Sequence, residues 1–326
     1  MPLNVIDDTD KVSLGPTNDG TYAAAKGGTE MMAERINAII SQHGLEDKVN
    51  VIHSRVRQLD ESKKNILLCH DLWNDPEVSH LRDAASRDRF AKIAFVSNQQ
   101  FQTYHMGLGV PYSQAVVMRN AIDPIELTEE KPTDCVRLIY HTTPHRGLEL
   151  LVPCMEELAK IHGDKIHLDV YSSFNAYGWA ERDKPYEGLF ERIRSHPQMT
   201  YHGYQPNHIV REALKKAHIF AYPNIWPETS CIAAIEAMSA GCEVVCPNHA
   251  ALYETTAGFA TMYQFDEDAN THANVFINEL NGSINTRLMG AYTPDRMNFA
   301  KTYIDNLYSW ELREQEWVRL LKGLFA

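Results

Sequence analysis

The chain has 326 residues, and 31 Lys and Arg stand against 43 Asp and Glu, a formal net charge of -12. Domains are roughly 100–200 residues long, so this length favours two of them. The hydrophobic share of 44% is ordinary for a globular protein. The acidic balance argues against a protein that coats nucleic-acid phosphates, because that binding needs clustered Lys and Arg.

The chain carries no sign of a membrane or secretion signal. No apolar run approaches the roughly 18–20 residues that span a bilayer. Residues 1–10 hold three Asp and no basic segment, unlike a signal peptide. The six cysteines form no Cys-x-x-Cys pair, so we expect them to be reduced and mostly buried. These features predict a cytoplasmic protein.

Short β-branched runs alternate with helical stretches, a pattern that predicts parallel α/β units. In the first part, a helix is predicted at 29–42, and Gly44 ends it. Strands are predicted there at residues 3–6, 49–53, 66–69, 93–96 and 115–118. In the second part, strands are predicted at 136–140, 167–171, 199–202, 219–221 and 243–245, and helices at 148–161, 186–195, 208–217 and 230–240. Because Pro153 lies inside the helix at 148–161, we expect that helix to start late or to kink.

A domain boundary is predicted at the polar, acidic segment 124–134, which begins at Pro124 and also contains Pro132. The chain then divides into an N-terminal domain, 1–125, and a C-terminal domain, 126–304. Residues 305–326 are predicted to form an amphipathic helix, with Trp310, Trp317 and Leu321 on one face. We expect this helix to dock back across the domain junction.

The segment 227–241 places Glu228 at a strand-to-helix turn and Glu236 eight residues later. Thr229 and Ser230 suit a helix start, where free backbone N–H groups bind phosphate. If the segment is helical, Glu236 lies about 12 Å further along the axis, so the two carboxylates are spaced to hold two parts of one elongated ligand. The alternative is that Glu228 only complements the helix dipole and Glu236 is solvated.

The Glu-x7-Glu pattern, after the predicted strand at 219–221 and a Pro-containing loop, resembles the signature of retaining GT-B glycosyltransferases, specifically family 4 (group 1). The resemblance covers most of residues 20–260 and is strongest at 200–255. It implies an α/β fold in which two Rossmann-like domains face each other across a cleft. The terminal helix is then expected to cross back to the first domain.

The resemblance assigns three residues to catalysis: His70, Arg146 and Glu228. His70 follows a strand and would lie near the transferring sugar, although a purely structural histidine is the alternative. Arg146 matches the second of two basic residues that grip the donor's diphosphate. The first is not evident, and His141 or a threonine hydroxyl stands in its region.

The resemblance also assigns the donor-binding residues. Gly27 and Gly28 match the loop that brings backbone N–H groups to the donor's phosphates or sugar, an approach that glycine permits. Glu228 would orient the sugar hydroxyls and Glu236 the ribose, and the helix start would face the diphosphate. The remaining residues assigned to the donor are Thr229, Ser230 and Cys231 at that helix start, and Tyr204 and Gln205 at the nucleotide base.

The function implied is transfer of a sugar from a nucleotide-diphosphate sugar to an acceptor, which is a glycan, a lipid or a small molecule. Peripheral membrane contact is compatible with it, and no nucleic-acid partner is expected. No Asp-x-Asp stands at a strand end, since residues 266–268 fall in a late, polar segment. We therefore expect no metal and no other cofactor. Two alternatives stay open: a GT-B nucleotide-sugar epimerase, and an inactive sugar-nucleotide-binding protein.

Overall fold

The computed structural model describes residues 28–326, which form two α/β domains with parallel sheets. The strand predicted at 3–6 and the predicted site residue Gly27 lie outside the described residues. From residue 49 onward, each predicted strand agrees with an observed strand to within two residues at either end. The agreement follows from burial on both faces, which makes parallel strands continuous apolar runs.

The N-terminal sheet has the order β1-β2-β3-β4, and the C-terminal sheet the order β10-β9-β8-β5-β6-β7. The N-terminal strands are β1 (Val49–His53), β2 (Lys64–Cys69), β3 (Lys92–Phe95) and β4 (Ala115–Val117). The C-terminal strands are β5 (Val136–Tyr140), β6 (Ile166–Val170), β7 (Met199–Tyr201), β8 (Ile219–Ala221), β9 (Glu243–Pro247) and β10 (Thr261–Tyr263).

Helices cover these sheets. They are α1 (Gly28–Gln42), α2 (Ala84–Arg87), α3 (Asn98–Leu108), α4 (Leu148–His162), α5 (Glu187–Arg194), α6 (Asn207–Lys216), α7 (Ile232–Ser239), α8 (Leu252–Thr255), α9 (Ala269–Leu288), α10 (Pro294–Leu307) and α11 (Trp310–Gly323). The expected late start at Pro153 is wrong, because α4 begins at Leu148. Leu151, Val152 and Met155 of α4 are fully buried, and this packing outweighs the hydrogen bond that proline removes. None of the helices from residue 28 onward is both long and apolar enough to cross a membrane.

The C-terminal segment is two helices rather than the single helix expected at 305–326. Helix α10 packs on the C-terminal core through Met297 and Ile304, whereas α11 packs on the N-terminal core through Trp317 and Leu321. The chain breaks between them because it crosses from one domain to the other. The Ser309 hydroxyl accepts a hydrogen bond from the Leu312 N–H and starts α11. The terminal helix therefore does cross back to the first domain.

The two chain crossings between the domains lie side by side. The Ile122 N–H donates to the Tyr308 carbonyl at 2.8 Å, which joins the first crossing to the second. Just beyond it, buried Ile125 donates its N–H to the Ser239 hydroxyl at 2.8 Å. The segment 124–134, predicted as the domain boundary, is thus exposed over much of its length but anchored where it enters the second domain.

Glu254 forms a third tie between the domains. Its carboxylate, on α8 of the C-terminal domain, accepts the backbone N–H groups of Asn98 and Gln99, each at 3.0 Å. It also accepts Nδ2 of Asn98 at 2.8 Å and Nη2 of Arg119 at 3.1 Å. These N–H groups begin α3, so a carboxylate of one domain caps a helix of the other.

The substitution Glu254→Gln should weaken this tie. The amide is neutral and presents one acceptor oxygen in place of two, so we expect a loss of about 1–2 kcal/mol in the free energy of unfolding. Urea unfolding followed by circular dichroism measures the loss. The control is Glu279→Gln, an exposed change on α9. Equal stability of the two variants would contradict the assigned role of Glu254.

Candidate functional site

A cleft between the domains lies at the carboxyl ends of their strands. In the C-terminal sheet, β5 has β6 on one side and β8 on the other, so the strand order reverses there. Ligands of open α/β sheets bind at such a reversal. The cleft has a volume of about 300 Å³, and its walls are the loops after β5 and β8, together with strand ends of the N-terminal domain.

The structure brings together each predicted site residue that it describes. Gly27 lies outside the described residues, and the other predicted residues all line the cleft. These are Gly28, His70, Arg146, Tyr204, Gln205, Glu228, Thr229, Ser230, Cys231 and Glu236. They come from both domains and from five separate stretches of sequence.

An ion pair between Arg146 and Glu228 occupies the centre of the C-terminal wall. Glu228 is 5% exposed, and its Oε1 accepts hydrogen bonds from the Arg146 guanidinium and from the Tyr222 hydroxyl, the latter at 2.5 Å. Nε of Arg146 donates to the Thr143 hydroxyl at 3.2 Å. The charge of Glu228 raises the pKa of Arg146 well above its ordinary value, against the opposing effect of burial. Sequence reasoning did not single out Tyr222, although it directly follows β8.

Gly147 allows the two loops to meet. Its φ of +122° disfavours a side chain, and a Cβ there would lie 2.1 Å from the carbonyl oxygen of Pro223. The loop after β5 therefore packs directly on the backbone of the loop after β8. This contact holds Arg146 beside Glu228.

Glu236 is buried rather than solvated. It is 5% exposed, and Oε1 accepts Nη1 of Arg211 at 3.0 Å and Nδ2 of Asn207 at 3.1 Å. Burial raises the pKa of Glu236, and the charge of Arg211 opposes that rise. Its carboxylate is thus oriented from the side of α6. Sequence reasoning missed Asn207 and Arg211, although Asn207 begins α6 only two residues after Gln205.

The helix expected to start at Thr229 and Ser230 starts instead at Ile232, after Cys231. The reason is that Thr229 bonds across the cleft. Its hydroxyl donates to the His70 carbonyl at 2.9 Å, and its own carbonyl accepts the Ser97 hydroxyl at 2.6 Å. Thr229 therefore joins the domains, and the free N–H groups belong to the first turn of α7. Glu236 lies four residues, about 6 Å, beyond the helix start at Ile232. The expected rise of about 12 Å from Glu228 does not apply, because Glu228 lies outside the helix.

The N-terminal ends of two helices meet in the cleft, one from each domain. Helix α1 is described from Gly28 onward, and a Cβ on Gly28 would lie 2.8 Å from Cδ1 of Ile232, where α7 begins. The tip of the Ile232 side chain thus packs close to the Gly28 backbone. The positive ends of both helix dipoles are thus directed at the same region, a favourable setting for an anion.

His141 occupies the place where a first basic residue was sought. Its ring lies 4.6 Å from that of Phe220, and its Nε2 is buried without a hydrogen-bond partner. Burial lowers the pKa of His141 to about 3, so the ring is neutral at pH 7. Among the described residues that line the cleft, Arg146 is the only Lys or Arg.

The far end of the cleft is aromatic and polar. Tyr171 lines it and stacks on His202 with ring centroids 4.2 Å apart and planes 4° apart. His202 in turn contacts Asp169 through Nε2 at 2.7 Å. Gln205 donates to the His202 carbonyl at 3.1 Å, and Tyr204 lies beside it on the wall. A planar ring with hydrogen-bonding edges matches these groups.

Part of the chain matches a known protein family. Residues 130–275 match the family model of the glycosyl transferases group 1. The resemblance to group 1 glycosyltransferases is confirmed. A search of curated proteins finds no match.

Solved structures confirm that the fold is GT-B. A glycosyltransferase from Rickettsia africae has a TM-score of 0.64 at 15% identity, covering 96% of this chain and 84% of its own. Sucrose-phosphate synthase from Thermosynechococcus elongatus has a TM-score of 0.64 at 16% identity, and the match covers 91% of this chain and 79% of the synthase. Anabaena HepE in complex with UDP-glucose has a TM-score of 0.62 at 13% identity, and the match covers 88% of this chain and 82% of HepE.

The cysteines and the late acidic residues have structural partners. All six cysteines are free, and Sγ of Cys242 donates to the Ala217 carbonyl at 3.2 Å. Asp268 caps α9 by accepting the Thr271 N–H at 2.8 Å, and Asp266 accepts the Asp268 N–H. Within residues 28–326, no group of three or more His, Cys, Asp or Glu is arranged to hold a metal ion. Metal independence stays a prediction, and activity in the presence of a chelator tests it.

Acid should destabilise the protein through the cleft histidines. An unfolded histidine binds its proton near pH 6.5 and folded His141 near pH 3, so unfolding takes up a proton between these values. The free energy of unfolding therefore falls as the pH drops below about 6.5. Replacing His141 with Gln should reduce the loss between pH 7 and pH 5 by about 1–2 kcal/mol.

Urea unfolding at the two pH values measures this difference. The substitution His208→Gln serves as the control for removal of a solvent-exposed histidine. An identical pH-dependent loss in wild type and His141→Gln would contradict the assignment.

Proposed function

We propose that the protein is a retaining glycosyltransferase that moves a sugar from a nucleotide-diphosphate sugar to an acceptor. The observation that carries the proposal is the Arg146–Glu228 pair, set at the strand-order reversal and beside two converging helix starts. Cation, carboxylate and backbone N–H groups together match a donor with a diphosphate at its centre and hydroxyls at both ends. HepE, a neighbour in fold, holds UDP-glucose.

Departure of the nucleoside diphosphate is the step that the cleft promotes. Negative charge builds on the leaving phosphate as the bond to the anomeric carbon breaks, so donors fixed in advance stabilise the transition state more than the ground state. Arg146 supplies a charged donor. The first turn of α7 supplies backbone N–H groups, because they have no partner within the helix, and α1 adds the positive end of its dipole.

The two glutamates hold the sugars at either side of the diphosphate. Glu228 accepts hydrogen bonds from hydroxyls of the transferring sugar, while Tyr222 and Arg146 keep its carboxylate oriented. Glu236, oriented by Asn207 and Arg211, accepts the ribose hydroxyls. Tyr204 and Gln205 contact the base at the aromatic end of the cleft.

Retention follows if the acceptor hydroxyl attacks from the face that the diphosphate leaves. The acceptor oxygen bonds to the anomeric carbon, the bond from that carbon to the phosphate oxygen breaks, and the acceptor proton passes to the leaving phosphate. No protein nucleophile takes part in this step. His70 lies at the cleft wall on the side of the N-terminal domain, near the transferring sugar.

The variants Glu228→Gln and Arg146→Ala should each lower kcat/KM for transfer by about 10²–10³-fold, since each removes one charged contact to the transition state. Release of the nucleoside diphosphate from UDP-, GDP-, ADP- and dTDP-sugars measures the rate with a panel of acceptors. A matched control is the surface pair Arg192 and Glu156, outside the cleft, changed to Arg192→Ala and Glu156→Gln. Unchanged rates in both cleft variants would contradict the site.

The product separates the alternatives. Transfer with the anomeric configuration of the donor kept, seen by NMR of the product, supports the proposal. A donor isomer formed without any acceptor would identify an epimerase. Binding of a sugar nucleotide without turnover over the whole acceptor panel would identify a binding protein.

A further inference from the structure

Two histidines of neighbouring strands meet behind the cleft wall. His53 ends β1 and is paired in register with Leu68 of β2, two residues before His70. Nδ1 of His53 lies 3.3 Å from Nε2 of His70. The ring centroids are 5.6 Å apart, and the ring planes differ by 12°. The centroid separation exceeds the distance between the two nitrogens by about one ring width, as expected for rings that lie side by side in nearly the same plane. The rings are therefore joined edge to edge by one hydrogen bond.

The backbone of His70 is fixed from both domains. Its N–H donates to the Ser54 hydroxyl at 3.2 Å, and its carbonyl accepts the Thr229 hydroxyl at 2.9 Å. Ser54 has a φ of +58°, in the left-handed region that few residues other than glycine adopt. With the backbone held, the remaining freedom of His70 is its ring orientation and its tautomer. Both are set by His53.

The hydrogen bond between two neutral rings allows two proton arrangements. Burial lowers the pKa of His53 to about 4 and that of His70 to about 3, so neither ring is charged at pH 7. In one arrangement His53 Nδ1–H donates to His70 Nε2. In the other His70 Nε2–H donates to His53 Nδ1, and the proton of His53 then sits on Nε2.

The surroundings of His53 favour the first arrangement. Nε2 of His53 is buried and has no hydrogen-bond partner. A proton there would be a buried N–H donor without an acceptor, which native structures avoid more strongly than an unfilled acceptor. With the proton on Nδ1 of His53, Nε2 of His70 is the acceptor and the proton of His70 lies on Nδ1. Because His70 lines the cleft and its Nε2 is occupied, Nδ1 is the ring nitrogen left for a ligand.

We infer that His53 is a positioning residue, which fixes His70 as a neutral Nδ1–H donor aimed at an oxygen of the transferring sugar or its phosphate. The inference deepens the proposed function and rests on it for the ligand. A neutral donor matters here because the described residues of the cleft include one arginine, already paired with Glu228. The opposite tautomer would present a lone pair to an oxygen and repel it.

The tautomer of His70 is measured directly by long-range ¹⁵N–¹H NMR of the imidazole rings at pH 7, with the His70 signals assigned from their loss in His70→Asn. The expected result is a protonated Nδ1 and an unprotonated Nε2 on His70. A protonated Nε2 would overturn the inference. Because this measurement needs neither donor nor turnover, it is independent of whether the proposed function holds.

A pair of variants of equal shape tests the positioning role. His53→Asn places an amide N–H near the former Nδ1, whereas His53→Leu has the same outline and no donor. Loss of one such hydrogen bond should lower kcat/KM for transfer about 10–100-fold in His53→Leu and leave His70 in mixed tautomers. His53→Asn should recover to within about threefold of wild type and keep the Nδ1–H tautomer.

Thermal unfolding and circular dichroism establish that both variants are folded before the comparison. Equal rates in His53→Leu and His53→Asn, or a wild-type tautomer of His70 in His53→Leu, would overturn the role of His53. If the wild-type protein transfers no sugar, the proposed function fails, and the tautomers of His70 in wild type and the two variants decide the inference alone.

Discussion

The ion pair between Arg146 and Glu228 is the contact on which the geometry of the cleft depends. Each partner comes from the loop after one of two adjacent strands, so the pair joins the loops at the point where the strand order reverses. A buried charge without its partner is strongly destabilising. The pair is completed by Tyr222 and Thr143, which satisfy it from both sides. These four residues therefore shape the site and also hold together the two loops that form the C-terminal wall of the cleft.

An acidic chain and an anionic ligand are compatible because the positive potential is local. The net charge of -12 belongs to the whole molecule, whereas the described part of the cleft concentrates one arginine and the N-terminal ends of two helices in a small volume. His70 and His141, which line the cleft, and His53 beside His70 are partly buried and neutral, so they act as hydrogen-bond donors and acceptors rather than as charges. Oriented helix dipoles and hydrogen-bond donors provide the positive potential that additional cations would otherwise supply.

Much of the fold could be predicted from the sequence, because parallel strands buried on both faces are short apolar runs. The run at 49–53 gives β1 to the residue. The start of α7 could not be predicted, since Thr229 has the side chain of a helix cap but bonds to His70 and Ser97 of the other domain. The residue at which α7 begins depends on these tertiary contacts, which the local sequence pattern does not reveal.

The break of the terminal helix at Tyr308 was missed for a similar reason. Neither glycine nor proline interrupts the sequence there, and the crossing between domains causes the break. Ser309 was the available signal, as a residue that caps helices. In the site, the Glu-x7-Glu pattern located Glu228 and Glu236, but not the residues that orient them. Tyr222, Asn207 and Arg211 come from other elements, and only the folded chain places them beside the glutamates.

The central claim is that this cleft binds a nucleotide-diphosphate sugar, and unfolding in the presence of such ligands tests it most directly. A ligand at 100 times its dissociation constant stabilises the folded state by about 2.7 kcal/mol. We expect one class among UDP-, GDP-, ADP- and dTDP-sugars to raise the unfolding temperature of the wild type and to have little effect on that of Arg146→Ala. Absence of any shift across the panel, or an equal shift in both proteins, would contradict it.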